Sequence, residues 1–126
     1  MYLLDTNIVV HYLNNTLTAE AIDLLNEIID DQCFISIIVE MECLGYNFKT
    51  KNEQEIMSVF IENITKLNIN KDIVKKTIAI RKSRKIDLPD AIIAATAIDY
   101  DLILITQNTK DFKSISDLKM INPLNF

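Results

Sequence analysis

Short apolar runs of strand type alternate along this chain with segments whose apolar positions recur at the helical period. Tyr2-Leu3-Leu4 opens the pattern and predicts a first strand. Asp5, Thr6 or Asn7 then offers a cap for a helix from Ile8 to Leu13. Thr18 offers a cap for a second helix, in which Ala21, Ile22, Leu24, Leu25, Ile28 and Ile29 form an apolar stripe. Asp30-Asp31-Gln32 interrupts that stripe. Cys33 to Ile37 is β-branched and aromatic enough for a second strand, and Val39 to Tyr46 reads as the helix after it.

The second half repeats the alternation less regularly. Asn52-Glu53-Gln54-Glu55 has the spacing of a capping box, with Ile56, Val59, Phe60 and Ile64 predicted on one helical face. Leu67-Asn68-Ile69 supports no more than a short strand. Ile73, Val74, Ile78 and Ile80 predict an amphipathic helix within a strongly basic segment, Lys71 to Lys85. Pro89 suits the first position of a helix reaching Asp99, whose small residues on several sides predict burial. Leu102 to Thr106 is a continuous apolar strand of the doubly covered type, and Met120-Ile121 adds a last edge strand. Strands alternating with helices predict an α/β protein, a three-layer α/β/α sandwich around a mainly parallel sheet, in one domain spanning residues 1–126.

Four acids stand just past or beside these runs: Asp5, Glu42, Asp90 and Asp111. If the strands are parallel, the acids converge at the carboxyl edge of the sheet, where open α/β sheets build their ligand sites. Singly, each acid has an ordinary structural reading. Asp5 suits a helix cap, Asp90 a first helical turn favoured by the macrodipole, and Asp111 the turn chemistry of a polar loop. Glu42 competes with Glu40, since two residues apart on a helix only one can face a cleft. Asp87 reads as a cap or loop acid. Jointly, carboxylates crowded at one edge repel one another and call for protons or a divalent cation. Oxygen-only donors suit Mg²⁺ or Mn²⁺, whose usual chemistry at such sites is phosphoryl transfer. Thr6 and Asn7 stand where they can hydrogen-bond Asp5 and set its aim.

Composition narrows the alternatives. The 126 residues are 49% apolar and 25% charged, an ordinary globular balance. A single glycine, Gly45, excludes glycine-rich phosphate loops, and a single histidine, His11, excludes multi-histidine zinc sites. Cys33 and Cys43 read as small buried hydrophobes. No run reaches the roughly 18 apolar residues of a membrane helix, and Met1 to Asp5 lacks the basic start of a signal peptide. The expectation is a cytoplasmic protein without a membrane partner. The net charge of −5 argues against a surface that coats nucleic acid, yet seven of the 13 basic residues fall between Lys71 and Lys85. The like-charge pairs Lys71/Lys75 and Arg81/Lys85 weaken a helix rather than support it. A phosphate-contacting face built from Lys75, Lys76, Arg81, Lys82, Arg84 and Lys85, just upstream of Asp90, explains their retention.

Several stretches together resemble the PIN-domain ribonucleases, specifically the VapC-type toxins of bacterial and archaeal type II toxin–antitoxin pairs. They are Leu4-Asp5-Thr6-Asn7, Ile35-Ser36-Ile37 through Glu42 to Leu44-Gly45-Tyr46, Leu88-Pro89-Asp90-Ala91-Ile92-Ile93-Ala94-Ala95-Thr96-Ala97, and Leu104-Ile105-Thr106-Gln107-Asn108 with Asp111-Phe112. The resemblance implies a PIN-like fold, with Asp5, Glu42, Asp90 and Asp111 as metal-binding catalytic acids and Thr6, Thr106 and Asn108 as their polar supports. It implies an Mg²⁺- or Mn²⁺-dependent endoribonuclease cutting single-stranded or loop RNA, such as tRNA or rRNA, to leave 5′-phosphate and 3′-hydroxyl ends. It further implies a homodimer held inactive by a cognate antitoxin. Asp87 departs from the basic or neutral residue expected in many relatives. The rival readings are a PIN nuclease acting on structured DNA, a catalytically silent PIN interaction module, and an Mg²⁺-binding receiver-like signalling domain. Receivers cluster adjacent acids after the first strand, whereas Asp5 is followed by Thr6 and Asn7.

Overall fold

In the computed structural model, which describes residues 1–125, five strands form one sheet. They are β1 (Tyr2–Leu4), β2 (Cys33–Ser36), β3 (Thr65–Leu67), β4 (Ile103–Ile105) and β5 (Met120–Ile121). Their order is β3-β2-β1-β4-β5, and every pairing is parallel. The chain lays down β1, β2 and β3 toward one edge and then returns to place β4 on the free side of β1. The order of the sheet therefore reverses between β1 and β4, and a crevice opens outside the carboxyl ends of those two strands. Seven α-helices among the described residues cover the sheet: α1 (Thr6–Leu13), α2 (Ala19–Asp30), α3 (Ile37–Leu44), α4 (Lys51–Asn63), α5 (Lys71–Ser83), α6 (Leu88–Asp99) and the single turn α7 (Thr109–Phe112). The result is the expected α/β/α sandwich.

The site-bearing edge is held by the core beneath it. Leu3, Leu4, Ile35, Leu104 and Ile105 are all at most 1% exposed. Burying each such side chain contributes about 1.5–3 kcal/mol relative to exposure, so β1, β2 and β4 cannot slip without large loss. Alternation also fails in these strands, as expected where both faces of a parallel sheet are covered. Helix α6 is buried along Ala91, Ile93, Ala94, Ala95, Thr96 and Ala97, and apart from Ile93 these are small residues that let α5 pack closely against it.

Two local expectations are corrected. Helix α4 begins two residues before the predicted capping box: Thr50 is the cap, accepting the Glu53 backbone N–H at 3.1 Å. Threonine belongs to the favoured cap residues although it ranks below asparagine, and the core-facing side chains are Met57 and Ile61, while Ile56 and Val59 face solvent. The third strand is Thr65–Leu67 rather than Leu67–Ile69. Asn70 caps α5 by accepting from Ile73 N–H at 2.8 Å, which draws the chain out of the sheet before Ile69. Cys33 and Cys43 are buried free thiols, each pushed up to about 12 by burial. No helix among the described residues is long and apolar enough to cross a membrane.

Candidate active site

Asp5 follows β1 directly, and its backbone is fixed from both sides. Its N–H donates to the Ile105 carbonyl at 3.0 Å, and its carboxylate caps α1 by accepting the Thr6 N–H at 2.9 Å. The second carboxylate oxygen accepts the Thr106 hydroxyl at 2.8 Å, a contact across the β1/β4 reversal. Thr106 is fully buried and its hydroxyl also accepts the Asn108 N–H at 3.0 Å. Asn108 in turn donates through Nδ2 to Asp111 Oδ2 at 2.7 Å. One chain of hydrogen bonds thus links Asp5, Thr106, Asn108 and Asp111 along the carboxyl edge.

Glu42 reaches the same edge from α3. The Thr6 hydroxyl donates to its Oε1 at 2.6 Å, so Thr6 holds Asp5 through its backbone and Glu42 through its side chain. Geometry therefore selects Glu42 over Glu40. Asn7, also expected to support Asp5, is exposed in the first turn of α1 and makes no hydrogen bond to these carboxylates among the described residues. Asp90 sits in the first turn of α6 and, with Asp87, Asp111, Lys85 and Ile86, lines a cleft of about 230 Å³. Asp87 occupies the cap position of α6 without capping through its side chain, which leaves its carboxylate to the cleft as a fifth acid. Its i,i+3 spacing from Asp90 was the available signal for that role.

Charge at this edge is uncompensated. The ion pairs among the described residues are Lys76–Asp99 and Lys119–Asp101, and neither involves the five acids. Burial, then the charges of Asp5, Asp111, Asp87 and Glu42, push the Asp90 carboxyl up to about 6. Asp5 is also raised, by burial first and by Glu42 last, against the lowering effect of its hydrogen bonds to Thr106 and Thr6. Cys43 lies near Glu42 and Asp5, whose charges add to burial in suppressing its thiolate, so the available donors are oxygens. Among the described residues no three acidic, cysteine or histidine side chains close to metal-holding spacing. The acids form an open basket rather than a cage, as mutual repulsion requires. Hard oxygen donors with surplus negative charge fit a hard divalent cation that keeps part of its water.

The basic segment divides in two. Arg81, Lys82, Arg84 and Lys85 line a groove of about 470 Å³ that meets the acid cleft at Lys85 and Ile86. Lys75 shares the helical face of Ile78 and Lys82 by its i,i+3 and i,i+7 spacing. Lys76 turns elsewhere: its ammonium lies 3.0 Å from Asp99 Oδ1, nine residues and about 13 Å along α6 from Asp90. Lys76 is thereby removed from the row of cations beside the cleft.

Thr106→Val tests the central brace. Valine keeps the volume but loses both the donation to Asp5 and the acceptance from Asn108. Loss of such a supporting contact should lower metal affinity and activity by about 10- to 100-fold while the fold survives. Calorimetric titration with Mn²⁺ measures it, and unchanged affinity would show that Asp5 needs no brace.

A parallel sheet with a braced acidic centre at its switch point defines an α/β domain suited to binding a cation at its carboxyl edge. Residues 2–118 match the PIN-domain family. Over 129 aligned residues the chain is 31% identical to Ribonuclease VapC1 of Haemophilus influenzae strain R2866, covering 94% of this chain and 95% of that protein. Its structure is similar to a toxin–antitoxin complex from Klebsiella pneumoniae, with a TM-score of 0.79 and 32% identity over 98% of both chains. VapBC2 from Rickettsia felis, solved bound to a promoter DNA fragment, gives a TM-score of 0.81 and 25% identity over 96% of this chain and 97% of that one. The chain belongs to the PIN-domain family.

Proposed function

We propose that this chain is an endoribonuclease dependent on Mg²⁺ or Mn²⁺, the toxin of a VapBC-type toxin–antitoxin pair. The observation that carries this reading is the uncompensated carboxylate edge, with Asp90 pushed up to about 6, in a chain 31% identical to a VapC ribonuclease. Asp5, Glu42, Asp90 and Asp111 are the acids that would hold a divalent cation. A cation bound there supplies Lewis-acid stabilisation of the phosphoryl oxygens and activates water. Thr6 and Thr106 aim two of those acids and limit the reorganisation needed when an RNA phosphate arrives. Asn108 holds Asp111 toward the cleft. Arg81, Lys82, Arg84 and Lys85 attract the RNA backbone, while the acidic balance of the rest of the chain discourages indiscriminate binding.

The substrate is single-stranded or loop RNA, with tRNA and rRNA loops as candidates, since unstacked bases are what proteins read in RNA. The protein acts in the cytoplasm as a homodimer restrained by its antitoxin. The open acidic basket accepts an antitoxin arginine, because guanidinium pairs with carboxylates bidentately. The test is cleavage of total RNA by antitoxin-free protein, with cut ends mapped. Cleavage should appear with Mg²⁺ or Mn²⁺, vanish in EDTA and return on adding the metal. Cleavage that persists in EDTA overturns the metal assignment, and absence of cleavage under all conditions makes the chain a silent interaction module.

A further inference from the structure

Beside the acid cleft lies a groove whose chemistry exceeds what gripping a phosphate requires. Its volume of about 470 Å³ falls within the roughly 300–1,000 Å³ of small-ligand sites. Its cations are Arg81, Lys82, Arg84 and Lys85, and among the described residues no acid lines it. Its remaining wall is apolar: Ile78 and Leu88 stand 50% and 48% exposed there, with Ile86 beneath them. Thr77 also lines it, and its buried hydroxyl has no hydrogen-bond partner among the described residues. Orphaned buried hydroxyls are uncommon and call for a reason. The Arg81 guanidinium is steadied by donation from Nε to the Ile86 carbonyl at 3.3 Å, and its other N–H groups make no hydrogen bond among the described residues. Lys85 and Ile86 belong to this groove and to the cleft of Asp87, Asp90 and Asp111 alike, so the two spaces share a wall.

We propose that this groove is the subsite for one nucleotide adjoining the scissile phosphate, and that it sets which base stands beside the cut. This assignment rests on the ribonuclease reading of the acid centre. A splayed base lies against Ile78, Ile86 and Leu88 and under the Arg81 plane, as unstacked RNA bases do on apolar and guanidinium surfaces. Its phosphate meets Lys82, Arg84 and Lys85. A χ1 rotation that turned the Thr77 hydroxyl into the groove would give it the base edge as its partner. Charge selects the occupant: four cations that form no ion pair among the described residues, with Lys85 alone shared with the acid cleft, suit a nucleotide, and the apolar wall distinguishes a nucleotide from bare phosphate.

The experiment titrates the full-length protein in EDTA with AMP, GMP, CMP, UMP and inorganic phosphate, following methyl and amide NMR signals. At least one nucleotide should shift Thr77, Ile78, Ile86 and Leu88 and bind about tenfold tighter than inorganic phosphate, within what a stacked base contributes. Arg81→Gln with Lys82→Gln should weaken nucleotides and phosphate together. Thr77→Val should change the ranking of the four bases and, with metal restored, the base preference at one position next to the mapped cuts, while Mn²⁺ affinity stays the same. Phosphate binding equal to that of every nucleotide overturns the subsite in favour of a simple backbone grip. Shifts that follow protein concentration and ignore nucleotide overturn it in favour of an interface with a second copy. Binding is read without cleavage, so nucleotide contact without metal-dependent cutting refutes the ribonuclease reading and with it the place beside a cut, leaving a nucleotide-binding groove, whereas cutting without nucleotide contact refutes the subsite alone.

Discussion

Asp90→Asn is expected to remove RNA cleavage and, at the same time, to stabilise the metal-free protein near neutral pH. Asparagine keeps the shape of the side chain but supplies no charge for a cation, and the loss in kcat should be about 10²- to 10³-fold, the usual scale for a single electrostatic group. The stability effect follows from linkage. The Asp90 carboxyl is pushed from an ordinary 3.8 to about 6 in the folded protein, so in that interval the folded state holds more proton than the unfolded one. Stability is therefore greatest with Asp90 protonated and falls as pH rises through about 6. The full shift corresponds to about 3 kcal/mol, reduced to about 1–2 kcal/mol because Asp90 is partly open to solvent. In EDTA at pH 7.5 the variant should melt about 3–8 °C above wild type, a gap that closes toward pH 4. Mg²⁺ should raise the melting temperature of wild type and leave the variant nearly unchanged. Wild-type cleavage should decline as pH falls below about 6, where protons compete with the cation. A variant that retains wild-type cleavage, or that melts lower in EDTA at pH 7.5, contradicts the assignment.

Phe112→Ala should be the most destabilising single change near the site. Phe112 is fully buried at the end of α7, next to Asp111. Truncating a buried phenylalanine costs about 3–5 kcal/mol, a large share of the 5–15 kcal/mol that holds a typical domain together. Urea unfolding should show a midpoint lower by about 2 M, given slopes of roughly 1–3 kcal/mol/M. Where the variant remains folded, the turn carrying Asp111 loses its anchor, and Mn²⁺ affinity should fall as well. Phe112→Leu, which preserves most of the volume, should cost under about 1.5 kcal/mol. An alanine variant within 1 kcal/mol of wild type would show that the turn is held by its polar contacts alone.

Much of the architecture was legible because parallel strands buried on both faces leave a distinctive trace. Leu102 to Thr106 and Cys33 to Ile37 are continuous apolar runs, and the observed β4 and β2 lie inside them. Caps were legible where one candidate stood alone, as with Thr18, which accepts the Ala21 N–H at 3.2 Å. The cap of α4 was misplaced because Asn52 is locally the stronger cap, whereas the helix that buries Met57 and Ile61 starts from Thr50. The polar stretch containing Asp111 was expected as a loop, and it forms a single helical turn because Phe112 finds a place in the core.

Local sequence was sufficient to determine an alternating α/β chain, an acid after the first strand, another at the start of a buried helix, and a basic segment preceding it. Those features depend on period, capping and composition, which act over a few residues. Strand order was a tertiary decision: placing β4 beside β1 brings Thr106 onto Asp5 from 101 positions away in the chain. The choice of Glu42 over Glu40 was decided by the Thr6 hydroxyl, and the division of the basic segment by Asp99, which takes Lys76 and leaves Arg81, Lys82, Arg84 and Lys85 along the groove. Each of these rests on contacts between residues far apart in sequence. A carboxylate's partner and its pKa depend on distance and burial, quantities that exist only once the chain has closed around its sheet.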